Sequence, residues 1–84
     1  MAPQLPPAEA QALQEETNQS VGVAERNLAA ANGKTLNSVQ LDLFSKVRSF
    51  LADAREAARA GDFRRSSNLA KKAQVLSEEL AGSL

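Results

Sequence analysis

The stretch that decides the fold is Ala54–Leu80, AREAARAGDFRRSSNLAKKAQVLSEEL. Two runs of good helix formers flank Gly61-Asp62-Phe63. Gly61 tolerates the left-handed backbone that ends a helix. Asp62 can cap the next helix, its carboxylate close to the positive end of the dipole. The reading is a helical hairpin. Past the bend, Phe63, Ser66, Leu69, Ala70, Ala73, Leu76 and Leu80 share one face of a helix expected over 62–81. Arg64, Arg65, Lys71, Lys72, Glu78 and Glu79 point elsewhere, and Gly82 is the expected stop.

Upstream, Asn37 is a good N-cap, and Gln40 three residues on can reach back to its N–H. Leu36 and Leu41 can close a hydrophobic staple around that cap. A helix is expected over 38–60, with Val39, Leu43, Phe44, Val47, Phe50, Leu51, Ala54, Ala57 and Ala58 on an arc of about 140°. An arc that wide can meet two neighbours, so this helix is expected at the centre of the fold. A first helix is expected over about 8–31, with Ala10, Leu13, Thr17, Val21, Ala24, Leu28 and Ala31 facing inward. Pro7 suits its first position, where a missing N–H is harmless. Thr17 and Gly22 make it the weakest of the three, an interior Gly costing about 1 kcal/mol relative to Ala. Asn32-Gly33 supplies its stop.

Residues 1–7, with Pro3, Pro6 and Pro7, read as an extended proline-rich linker. Residues 8–82 read as an all-α, antiparallel up-down-up three-helix bundle. The open alternative is a hairpin of the last two helices with the first attached loosely or exchanged into a neighbour.

Composition narrows the function. Ordering 84 residues costs roughly 1.5 kcal/mol each. Three phenylalanines, eleven leucines and five valines offset that with little to spare, so modest stability is expected. Cysteine and histidine are both absent, which removes disulfides and the usual transition-metal ligands. Glu15-Glu16 and Glu78-Glu79 are adjacent pairs pointing about 100° apart on a helix, and neither makes a cage. Ser66 and Ser67 beside Arg64 and Arg65 lack a general base, and the four glycines are isolated punctuation rather than a phosphate loop. No catalytic residue, cofactor or metal is expected. The chain is also too polar throughout for a membrane span and shows no signal-peptide pattern, so the compartment is not legible.

Ten basic and ten acidic side chains cancel, but they are unevenly placed. The first helix carries Glu9, Glu15, Glu16 and Glu25 against Arg26. Residues 46–72 carry Lys46, Arg48, Arg55, Arg59, Arg64, Arg65, Lys71 and Lys72 against Asp53, Glu56 and Asp62. An acidic first helix lying beside two basic ones is the expected arrangement. Arg48, Arg55, Arg59, Arg64 and Arg65 are the candidate partner or anion surface. Zero net charge and the lack of surface aromatics argue against nucleic acid. Val23, Leu41 and Val75 fall off the expected stripes, and Val23 and Val75 would make a small partner patch if they adjoin.

Around residues 47–80, Ala54, the Gly61-Asp62-Phe63 turn, Ala70 and Ala73 match the pattern of a tetratricopeptide-type repeat, and the segment resembles one such hairpin. Ser66 stands at the small position early in its second helix, and Glu78 or Glu79 near the place of the usual closing proline. The resemblance implies hairpin geometry, since a peptide groove needs stacked copies and there is no second copy. Leu36-Asn37, Ala60-Gly61-Asp62 and Leu69-Ala70-Lys71-Lys72-Ala73 also resemble three-helix segments of bacterial envelope or secreted proteins. With no catalytic group in the chain, the expected role is a non-catalytic interaction or spacer module of a larger protein, with an unidentified protein partner or self-association. The second resemblance implies a bacterial source, and it and the proline-rich opening leave an exported or envelope location open. The alternative is an anion-binding module on the arginine flank, for nucleic acid or an acidic partner.

Phe44→Ala and Leu51→Ala are each expected to lower the unfolding free energy by about 2–5 kcal/mol in urea titrations, as for buried large-to-small changes.

Overall fold

The computed structural model describes residues 5–84, so the expected extended linker lies largely outside the described residues. Three helices follow in order: α1 Pro7–Ala31, α2 Ser38–Arg59 and α3 Phe63–Gly82. They form an all-α three-helix bundle in which α3 packs closely against both other helices. The chain runs up, down and up, so α1 and α3 lie parallel. Glu9 of α1 meets Arg64 and Glu16 meets Lys71, and Asn27 meets Ser77. The bundle is 44 Å long and 20 by 15 Å across, about one helix length by two helix widths.

The caps behave as the local chemistry dictates. Asn37 Oδ1 accepts from Gln40 N–H at 2.8 Å while Gln40 Oε1 accepts from Asn37 N–H at 2.9 Å, a full capping box. At the bend, Gly61 N–H donates to Ala58 O at 3.0 Å and Asp62 N–H to Ala57 O at 2.9 Å. Those two bonds make a Schellman motif, which Gly61 permits at φ +77°. Asp62 then accepts from Arg65 N–H at 3.3 Å, so one residue closes α2 and opens α3. Pro7 occupies the first turn of α1. Gly82, expected as a stop, is the last helical residue, and Ser83 is the cap.

The centre of the fold is α3, not α2. Its buried positions are Ser66, Ser67, Ala70, Ala73, Ser77 and Leu80. Five of these six are Ser or Ala, so neighbouring backbones approach closely. On α1 the facing residues are also small: Thr17, Ser20, Ala24 and Ala31. Between α1 and α2 the side chains are large, with Leu28, Phe44 and Leu51 around one groove, and those two helices approach each other far less. Side-chain volume thus sets which helix is shared.

The same logic moves the phenylalanines outward. Phe44, Phe50 and Phe63 are only half-buried, and Val39, expected on the inner stripe, is 68% exposed. The core runs instead through Ala24, Val47, Leu51 and Ala73, and on to Ala31, Leu43 and Leu80. Hydroxyls placed there are satisfied. Ser66 Oγ, almost fully buried, donates to Ala54 O across the α2–α3 contact at 2.8 Å. Ser77 Oγ donates to Gln74 O at 2.7 Å and accepts from Asn27 Nδ2 at 3.1 Å. Gln40 Nε2 donates to Ser83 O at 2.8 Å, tying the start of α2 to the end of α3. Among the described residues no buried side-chain nitrogen or oxygen lacks a partner.

Burial separates the two alanine substitutions. Leu51 is 3% exposed, so Leu51→Ala keeps the cost expected for a core leucine. Phe44 borders an open groove, and Phe44→Ala is expected to cost about half as much. Ala73→Leu is a sharper check, because Ala73 has no exposed surface and sits on the shared helix. It is expected to destabilise by about 1–3 kcal/mol through overpacking, read from the urea midpoint. A stabilised Ala73→Leu protein would refute the tight small-residue contact.

Candidate interaction surface

The expected acidic-to-basic packing of α1 is present. Glu25 Oε2 accepts from Arg55 Nη2 of α2 at 3.1 Å, and Glu9 and Glu16 pair with Arg64 and Lys71 of α3. All three pairs are half-exposed, so each adds little to stability. Their effect is on register, since each ties a different level of α1 to its neighbours.

These pairs divide the candidate arginines. Arg55 and Arg64 are held by α1 carboxylates, and Arg59 Nη1 donates to Glu56 Oε2 on its own helix at 3.0 Å. Arg48 and Arg65 have no ion pair among the described residues. They belong to different helices, so the five arginines do not act as a block. Lys46, on the exposed side of α2, pairs with Asp42 at 2.9 Å. That hydrogen bond, and then the carboxylate charge, raise the Lys46 pKa above its ordinary 10.5. A raised lysine adds stability that is present below that value and lost only as pH climbs past it, so this pair does not respond to pH near neutrality.

Among the described residues, three shallow grooves follow the seams between helices. The largest of these, about 570 Å³, lies between α1 and α2, where large side chains hold the helices apart. Leu28, Phe44 and Leu51 line its base, and Glu25, Arg48 and Arg55 its edges. The second, about 500 Å³, lies between α2 and α3 and is lined by Phe50, Lys71, Lys72, Val75 and Leu76. Its apolar character extends to Lys72, whose ammonium sits 5.9 Å from the centre of the Phe50 ring. The third, about 440 Å³, lies between α1 and α3 and includes Val23, Gln74 and Val75. Val23 and Val75, the two valines off the expected stripes, thus share one groove. Val75 borders both grooves on α3, a position that helical periodicity alone cannot assign.

Among the described residues no group of three or more Asp or Glu side chains is placed to hold a metal ion. No described helix is long and apolar enough to cross a membrane. The chain matches no family model, and no curated protein or solved structure is similar enough to it to count as a relative.

Arg64→Ala and Glu25→Gln are each expected to change the unfolding free energy by less than about 1 kcal/mol, as for exposed pairs. Thermal or urea unfolding would check this, and a larger loss would mean that the pairs help hold α1 in place.

Proposed function

We propose that this chain is a non-catalytic helical interaction or spacer module, working through its helix surfaces. The observation that carries the reading is the groove between α1 and α2, with leucine and phenylalanine at its base and Arg48 exposed at its edge. Apolar surface bordered by an unengaged cation is a common composition for a protein contact, where arginine and aromatic side chains are enriched. The resemblance of residues 47–80 to a tetratricopeptide-type hairpin fits this reading as shared geometry. The rival anion surface of Arg48, Arg55, Arg59, Arg64 and Arg65 is disfavoured, because carboxylates already engage three of the five.

Site-specific photo-crosslinking in expressing cells tests the proposal. A photoreactive amino acid is placed at Ala52, which lines the α1–α2 groove, at Val75, and at the exposed control Gln14. Discrete protein adducts are expected from Ala52 or Val75 and not from Gln14. Identical adduct patterns from all three positions, or none from any, would overturn the interaction reading.

A further inference from the structure

The outward face of α3 carries a charge pattern that is its own complement when reversed. Val75, 62% exposed, stands at the centre of the sequence KKAQVLSEE, with Lys71 and Lys72 before it and Glu78 and Glu79 after it. Lys71 and Glu79 are each four residues from Val75, and Lys72 and Glu78 each three. At roughly 100° per residue, Lys71 and Glu78 fall on one side of the Val75 direction, about 40° and 60° away. Lys72 and Glu79 fall on the other side, about 60° and 40° away.

That symmetry has a geometric consequence. Lay a second α3 antiparallel on the first, with the twofold axis crossing between the helices at the height of Val75. The axis reverses height along the helix and keeps each residue on its own side of the contact. Lys71 then meets Glu78 of the second copy, and Lys72 meets its Glu79. The reciprocal pairs follow by symmetry. Partners differ in height by one residue, about 1.5 Å, well within the reach of these side chains. Gly82 falls opposite Asn68, so no bulk props the ends apart. A parallel arrangement would set lysine on lysine and glutamate on glutamate.

We propose that the outer face of α3 is an isologous, antiparallel contact between two copies of this chain, centred on Val75. The proposal deepens the interaction reading and rests on it. The charges it needs are available. Lys72, Glu78 and Glu79 are exposed and have no ion pair among the described residues. Lys71 is shared with Glu16, which makes Lys72 with Glu79 the principal pair. The apolar part is Val75 with the grooves on either side of it, lined by Phe50 and Leu76 toward α2 and by Val23 toward α1. The surface is small, so the dimer is a weak one.

Sedimentation equilibrium from about 10 μM to about 1 mM at low salt tests this. The mass is expected to rise from 8.9 kDa toward twice that value. K72E and E79K are each expected to weaken association about tenfold, because each turns two symmetric attractions into repulsions. The double variant K72E/E79K recreates both pairs with signs exchanged, and it should associate within about threefold of the original. These side chains are exposed, so circular dichroism should be unchanged and thermal unfolding nearly so in all three variants. A V75C variant, in a chain with no other cysteine, should form a disulfide-linked dimer on oxidation. A chain that stays monomeric to about 1 mM, or a double variant no better than its parents, would overturn the dimer. Adducts from Ala52, or from Val75 to a different protein, would then still sustain the interaction reading, whereas none from either position would remove both.

Discussion

The close approach of two helices to one stripe of small side chains governs the rest of this structure. Ser66, Ser67, Ala70, Ala73 and Ser77 on α3 leave room for neighbouring backbones, and α1 and α2 each take one side. Dispersion and apolar burial reward that closeness, and the hydroxyls of Ser66 and Ser77 are tolerated because they bond to a backbone carbonyl and, for Ser77, also to the Asn27 amide. Val47, Leu51 and Leu80 still fit into the core, but several other large side chains stay at its edge. Leu28 and Phe44 lie where α1 and α2 stand apart, Phe50 and Leu76 at the edge of the α2–α3 contact, and surface grooves form at both places. Core and candidate interaction surface are therefore consequences of one packing choice.

Electrostatics then selects among the ways three such helices could lie together. A small-residue stripe is permissive about register, because serines and alanines fill similar space. The carboxylates of α1 favour one register by meeting Arg64, Lys71 and Arg55 at three separate levels, beside the Asn27–Ser77 hydrogen bond. Exposed pairs of this kind contribute little free energy, yet a slip by one turn would break all three at once. Arg48 and Arg65, and on α3 Lys72, Glu78 and Glu79, form no ion pair among the described residues once the bundle closes. These charges are available to something outside the chain, and their arrangement on α3 is complementary to itself.

The proposed role follows from where the unused chemistry lies. Among the described residues no buried polar side-chain atom is unsatisfied. Among the exposed features are an apolar groove with an arginine at the edge and a valine, Val75, between lysines and glutamates. Both suit contact with other protein surfaces, through helix faces that the fold leaves uncovered.

Local chemistry makes the helices legible in the chain itself. The capping box at Asn37, the Gly61-Asp62 bend and the three-four spacing of apolar residues are encoded within a few neighbours, so they locate three helices to within a residue or two. The acidic bias of α1 against basic partners is legible as well, because charge sums do not depend on geometry. Which helix stands at the centre is not. A wide apolar arc on α2 marks a helix with much to bury, but it does not say how near its neighbours come. That distance depends on the volumes meeting across two interfaces, and only the tertiary arrangement brings Ala24, Val47, Leu51 and Ala73 together. The candidate arginine surface is undecided for the same reason. Arg55 and Arg64 find Glu25 and Glu9 only after residues 30 and 55 positions apart are brought side by side. Helix identity is a short-range property that neighbouring residues determine; helix order in space is a long-range one that packing decides.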